Sequence, residues 1–227
     1  MWPTPPTSPD KMGAMSEMSY AVLVPVKPST LGKSRLGGAA APWRTQLAAA
    51  FAIDTLAAAR AAVRVALIVV ITDDPAVTSV ATAAGDVVLA DPGAGLNAAL
   101  RVAAQHVRHT CPDLTPAALL ADHPALRPDE LDDALAAVDP VTGGFVADSQ
   151  GTGTALYAGG DFRPAFGADS RNRHRATGAA ELLVAVPTLR LDVDDLDSLR
   201  AAIELGVGPA TAQVLATAQL LLVPADD

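Results

Sequence analysis

The chain has 227 residues, half of them hydrophobic, with 16 basic and 25 acidic side chains and a net charge of -9. That length suits one α/β domain with a real core and is short for two, and the negative balance excludes a general polyanion or membrane-surface binder, so neither nucleic acid nor membrane is expected as a partner. One cysteine, Cys111, excludes an internal disulfide and a cysteine-rich zinc site, and aromatics at 4% leave the core to Ala, Val and Leu.

Residues 1–19 carry four prolines in the first nine positions and no apolar run of signal-peptide type. They predict a disordered tail before a single domain over 20–227, with Met12, Met15 and Met18 as alternative starts. No later stretch has the ~18 uninterrupted apolar residues of a membrane span, and a cytoplasmic enzyme is expected. Tyr20–Val26 is a short apolar run that predicts a buried first strand. Trp43–Val63, Ala-rich and without Gly or Pro, predicts a long helix. Ala66–Ile71 is the strongest strand, and it ends in Thr72-Asp73-Asp74-Pro75. A helix over Val77–Ala84, a strand at Val87–Leu89, a helix over Gly95–Val107, a strand at Ala117–Ala121 and a helix over Pro128–Val138 follow. Gly144–Ala147 and Thr154–Ala158 form a candidate strand pair around SQGTG. Leu183–Val186 and Leu189–Val193 are short strand candidates, and Asp195–Leu205 and Pro209–Leu222 close the chain as helices. The alternation predicts an α/β fold: a mixed, mostly parallel sheet with helices on both faces. Ligands of such sheets bind beyond the carboxyl ends of strands, here where Val26, Ala121 and Val193 lead out. The apolar stretch Val214–Val223 is read as a core helix or an association surface, which leaves a homodimer open.

Four groups of residues carry chemistry. After the first strand, Lys27 and then Gly32-Lys33-Ser34-Arg35 put cations and glycine where a phosphate chain can approach the backbone, or make a solvated basic loop. It is not a Walker loop, because the first glycine of that pattern is absent. Asp122, following AALLA, is placed for a metal ligand or a turn. In Leu191-Asp192-Val193-Asp194-Asp195, extended backbone puts Asp192 and Asp194 on one face, where they can share a hard cation. Asp195 suits the N-cap of the next helix, and capping is the other use of the whole run. The loop QGTGT at 150–154, FGADS at 166–170 and the basic run Arg171-Asn172-Arg173-His174-Arg175 supply an anion cradle or a solvated turn. His123 is read as a loop histidine outside the metal shell. Together the groups suit bringing one phosphate up to another.

VPVKPSTLGKSRLGG, ITDDP, GLNAAL, LLADHPAL, FVADSQGTGTALY, FGADSRNRHRATGA, LRLDVDDLDSL and LGVGPAT, in that order, resemble the guanylyltransferases of coenzyme F-420 biosynthesis, which act on 2-phospho-L-lactate or phosphoenolpyruvate, most nearly the actinobacterial branch. The resemblance spans about Tyr20 to Leu215. It implies a nucleotide-diphospho-sugar transferase-like (GT-A-like) fold, with GTP and a phosphorylated three-carbon acid as substrates and Mg²⁺ as cofactor. A downstream pathway transferase is the implied consumer of the product. It implies metal ligands at Asp122, Asp192 and Asp194 and acceptor contacts at Thr152, Gly167 and Ser170. The nucleotide side falls to Lys27, Gly32, Lys33, Arg35 and Asn97, with Lys33, Arg35 and Asp122 as the catalytic set. Phosphoenolpyruvate, 2-phospho-L-lactate and 3-phosphoglycerate remain open as acceptors, and a sugar-phosphate nucleotidyltransferase or a silent nucleotide-binding relative remains the alternative. Where the family has Gly-Asp-Leu-Pro or similar, this chain has Ala121-Asp122-His123-Pro124; Ala narrows the nucleotide's approach and His adds a titratable group beside the metal.

Overall fold

Strands β1 (Tyr20–Pro25), β2 (Val65–Ile71) and β3 (Val87–Leu89) are runs of Val, Ile, Leu and Ala, with both faces of β1 fully buried. The computed structural model describes residues 19–27 and 36–219. With β4 (Thr115–Leu119), β5 (Gly144–Ala147), β6 (Thr154–Ala158) and β7 (Ala180–Glu181) they form a seven-stranded sheet in the order β3-β2-β1-β4-β6-β5-β7. The first four in that order are parallel, with Val22 opposite Ile68 on one side and Ala117 on the other. Both β4 and β5 then pair antiparallel to β6, and β7 runs parallel to β5. This is the mixed, mostly parallel sheet expected.

Alternate residues of each strand feed different layers. Val22, Val24 and Val70 point toward α1 (Arg44–Ala61), α2 (Pro75–Ala83) and α4 (Pro128–Ala136), meeting Leu56, Val77 and Leu131. Ala21, Leu23 and Val69 point to the other face, where α3 (Leu96–Thr110) packs Leu100, Ala103 and Val107 on them. Burying a side chain such as Leu23 or Leu100 contributes roughly 1.5–3 kcal/mol. A third layer joins Leu47 and Phe51 of α1 to Leu199 of α7 (Leu196–Leu205) and Leu215 of α8 (Pro209–Thr217), with Leu191 and Val193 wedged between. The hydroxyl of Tyr20, fully buried, donates to the Leu135 carbonyl at 2.9 Å, and burial holds its pKa up to about 12.

Acidic side chains do much of the local joinery. Asp74 caps α2 by accepting from the N–H groups of Ala76 and Val77, with Pro75 at the first turn. Asp132 accepts from Val63 and Arg64 and closes the turn into β2. Buried Glu130 accepts from Thr188 and Leu189 at the start of α6 (Pro187–Arg190).

Two expectations fail. Leu183–Val186 and Leu189–Val193 are not strands: Pro187 starts a helical turn over Pro187–Arg190, and the last strand of the sheet is the two-residue β7. The basic run is not a turn but α5 (Ser170–Ala176), whose buried residues are Ser170 and His174, one turn apart. The final helix ends at Thr217 among the described residues, and 220–222 lie outside them. No helix among the described residues is long and apolar enough to cross a membrane.

Candidate active site

β4 delivers the chain to Asp122 three residues past its end, and the Val193 N–H donates to the Asp122 carbonyl at 2.9 Å. That bond ties the segment 191–194 alongside the β4 exit. Leu191 and Val193 sink into the third apolar layer, so Asp192 and Asp194 face the opposite way. Asp122, Asp192 and Asp194 each offer a carboxylate oxygen, all within 4.8 Å of one another. Asp195 is the N-cap of α7, in a reciprocal capping box with Ser198, whose hydroxyl also accepts from the Asp194 N–H at 3.0 Å. The run DVDD is thus split, with Asp195 capping and its two alternate neighbours facing Asp122.

Burial raises the Asp192 pKa to about 6, and the Asp122, Asp194 and Asp148 carboxylates push in the same direction. A cluster that resists its own ionisation in this way fits a divalent cation, and three oxygens suit a hard one. A group whose folded pKa lies above its unfolded value of about 3.8 opposes folding once it must ionise. In metal-free protein that cost grows as pH rises from about 4 to about 6 and is complete at pH 7. With Asp192 partly exposed it is of order 1–2 kcal/mol. Asp192→Asn is therefore expected to raise the Tm in EDTA at pH 7.5 and to change it little at pH 4.5. Equal shifts at the two pH values would contradict this.

His123 lies in the loop after β4, as expected, and is fully buried there, because α1 and the 191–193 segment roof it. Its N–H donates to Thr55 Oγ1 at 3.1 Å, and its Nδ1 lies 3.2 Å from the Leu191 carbonyl. A carbonyl only accepts, so Nδ1 carries the proton. Nε2 then lies 3.7 Å from Asp122 Oδ1.

Beside the acids opens a cleft of about 210 Å³ lined by Leu96, Leu120, His123, Asp148, Gly153, Thr154, Ala155, Phe166, Gly167, Ser170 and Asp192. It lies beyond the β4 exit, as open α/β sheets favour. Gly167 and Ser170 line it with Asp192, whereas Thr152 is exposed and outside it. The loop Gly151–Gly153 hangs from Asp148, whose carboxylate accepts from the N–H groups of Thr152 at 3.0 Å and Gly153 at 2.8 Å. Gly167 sits at φ +118, a conformation L side chains rarely adopt. Asn97 spends both ends of its amide on Phe166, donating to its carbonyl at 2.9 Å and accepting from its N–H at 2.8 Å. Lys27 is exposed at the end of the described part of the first loop, and Gly32, Lys33 and Arg35 lie outside the described residues. Arg171 donates to Glu181 and to the Gly151 carbonyl, and Arg175 pairs with the same glutamate. Arg173 makes no hydrogen bond or ion pair through its side chain among the described residues, and its guanidinium lies over Gly167. Thr154 and His174 lie in the loop and the basic run expected to form an anion cradle, whereas Asp148 was not singled out by sequence reasoning. Asp148 had a signal, an Asp opening a Gly-rich turn.

The fold is that of the nucleotide-diphospho-sugar transferases and related nucleotidyltransferases. It is similar to a Desulfovibrio desulfuricans G20 protein described as a nucleotide-diphospho-sugar transferase (TM-score 0.66, 16% identity, 90% of this chain and 97% of that one). It is also similar to a 4-diphosphocytidyl-2C-methyl-D-erythritol synthase (TM-score 0.54, 16% identity, 83% and 99%). No family profile matches the chain. In sequence it is 50% identical over 217 residues to the phosphoenolpyruvate guanylyltransferase of Streptomyces scabiei, covering 91% of this chain and 99% of that one. It is 47% identical over 206 residues to that of Thermomonospora curvata, covering 88% and 90%. The chain belongs to the phosphoenolpyruvate guanylyltransferase family, enzymes that transfer a nucleotidyl group.

Proposed function

We propose that the protein transfers GMP from GTP to the phosphate of phosphoenolpyruvate and releases pyrophosphate, as a step of coenzyme F-420 biosynthesis whose product a downstream transferase consumes. The observation that carries the reading is the juxtaposition of Asp122, Asp192 and Asp194 with a cleft that Gly167 and Ser170 also line. Asp122, Asp192 and Asp194 would hold Mg²⁺. When bound, the ion offsets charge on the α-phosphate and on the leaving pyrophosphate. The chain's own part is to bind two anions that repel each other and hold them in line. An oxygen of the acceptor phosphate attacks the α-phosphorus of GTP, and the bond from that phosphorus to the bridging oxygen breaks. A phosphate monoester is mostly ionised at neutral pH, so no general base is needed. Thr152, Gly167 and Ser170 are assigned to the acceptor, with the Arg173 guanidinium over Gly167 as a counter-charge. Lys27, Gly32, Lys33, Arg35 and Asn97 are assigned to the nucleotide, with Lys33 and Arg35 on the triphosphate. Asn97 acts there through the Phe166 backbone that it clamps.

The test is pyrophosphate release from GTP and Mg²⁺ with phosphoenolpyruvate, 2-phospho-L-lactate and 3-phosphoglycerate in turn. Release with phosphoenolpyruvate at least tenfold faster than with the others is expected. Equal rates with all three would remove the acceptor assignment, and release only with a sugar phosphate would remove the reading itself.

A further inference from the structure

The chain has four phenylalanines and two tyrosines, and Phe145, Phe162, Phe166 and Tyr157 gather under the acceptor side of the cleft in one apolar cluster. At their centre lies the fully buried imidazole of His174, stacked on Tyr157 with centroids 4.4 Å apart and edge-on to Phe166 at 4.9 Å. Its two nitrogens have different partners. Nε2 accepts from the Ala165 N–H at 2.9 Å, and a backbone N–H can only donate. Nε2 is therefore the bare nitrogen, and in the neutral ring the proton sits on Nδ1, 2.9 Å from Thr154 Oγ1. Burial, with the Arg173 charge beside it, lowers the His174 pKa to about 4, so the ring is neutral at working pH.

Thr154 Oγ1 also accepts from the Ser170 hydroxyl at 3.1 Å. With both lone pairs engaged, the Thr154 hydroxyl can only donate. Among the described residues it has no acceptor, although Thr154 is buried, and it lines the cleft together with Ser170. A buried donor with its acceptor side filled from below and no protein acceptor above is costly to leave empty. An anionic oxygen in the cleft satisfies it.

We propose that Thr154 is a further acceptor-binding residue, donating its hydroxyl to an anionic oxygen of the phosphorylated acid, and that His174 is the positioning residue that aims it. This rests on the guanylyl-transfer reading for the identity of the acid. Packing supports the assignment: the ring is held by stacking on Tyr157 and by two hydrogen bonds, so Thr154 Oγ1 meets a fixed donor rather than a rotating one.

The test is Thr154→Val in the full chain, which keeps the shape of a strand residue and removes the hydroxyl. The KM for phosphoenolpyruvate is expected to rise at least tenfold, with the KM for GTP within twofold and the Tm within a few degrees. Thr154→Ser is expected to recover most of the loss. A merely structural role would move both KM values or the Tm in Thr154→Val, and Thr154→Ser would then restore those rather than the phosphoenolpyruvate KM alone. In parallel, ¹⁵N NMR of the histidine imidazoles, with the His174 signals assigned by their loss in His174→Asn, is expected to show His174 in the Nδ1–H form, unchanged from pH 8 to pH 6. If wild type turns over none of the acids, the functional reading fails, and binding of inorganic phosphate to wild type and Thr154→Val then decides the site. Equal phosphate affinity, an unchanged acceptor KM, or an Nε2–H ring for His174 would each overturn the proposal.

Discussion

Asp192→Ala and Asp194→Ala are each expected to lower kcat/KM for guanylyl transfer by about three orders of magnitude, roughly 4 kcal/mol of transition-state stabilisation, without unfolding the protein. The three carboxylates converge to within 4.8 Å and all three are only partly buried, so their oxygens are available to a cation from the cleft. The reaction brings two phosphates together and must offset charge both at the α-phosphorus and on the departing pyrophosphate. On the proposed metal assignment, removing one oxygen ligand weakens the site that does this, and neither the backbone bond from Val193 to Asp122 nor the α7 cap at Asp195 depends on these two side chains. Loss of activity and retention of fold therefore separate. The check is single-turnover kinetics at saturating Mg²⁺ beside a thermal melt in EDTA. Turnover within tenfold of wild type in either variant would remove the metal assignment. A large loss of Tm would mean that the carboxylates serve the fold.

How much of this was legible follows from which interactions are local. Asp192 and Asp194 could be placed on one face because extended backbone alternates whatever surrounds it; that Leu191 and Val193 would be buried was visible in their apolarity. The parallel half of the sheet was legible for the same reason, since β1, β2 and β4 are short apolar runs separated by helical stretches. The far edge was not. α5 reads Ser-Arg-Asn-Arg-His-Arg-Ala, with no apolar residue larger than Ala, so hydrophobic periodicity had nothing to detect. Its buried stripe is a serine and a histidine, polar groups that satisfy each other through Thr154, which is 16 residues from Ser170 and 20 from His174. β7 has two residues and owes its existence to β5 beside it. Pro187 sits between the two expected strands, and a proline at the first helical position was the better reading there. The burial of His123 in its loop was not legible, because the partner that helps bury it, Thr55, lies 68 positions away.

The same long-range logic makes Asp54 a polar residue whose loss should cost as much as a core side chain. It sits within α1, and although it is a carboxylate it is only 5% exposed. Its two carboxylate oxygens accept from the N–H groups of Ala210 at 3.0 Å and Thr211 at 2.8 Å, in the first turn of α8. A carboxylate there satisfies two orphan donors and meets the positive end of the helix. Gly208, just before the helix, donates to the Pro124 carbonyl at 2.8 Å, and a Cβ at Gly208 would collide with the Asp54 carboxylate. Asp54 therefore seats α8, and the residue leading into α8 holds the loop that carries Asp122. Asp54→Ala leaves the buried N–H of Thr211 and the part-buried N–H of Ala210 without a partner and is expected to cost about 2–4 kcal/mol. At roughly 2–4 °C per kcal/mol for a domain of this size, the Tm falls by about 5–15 °C. Asp54→Asn, which keeps one acceptor and loses the charge, is expected to lose about half as much. At 25 °C the Ala variant stays folded, yet its kcat/KM falls about tenfold, because the Pro124 anchor slackens and Asp122 shifts against Asp192 and Asp194. Gly208→Ala, which disturbs the same seat from the other side, is expected to reproduce both effects. A Tm within 2 °C of wild type in Asp54→Ala would show that α8 is seated by its apolar face alone. A lowered Tm with full activity would show that the Asp122 loop holds its place without α8.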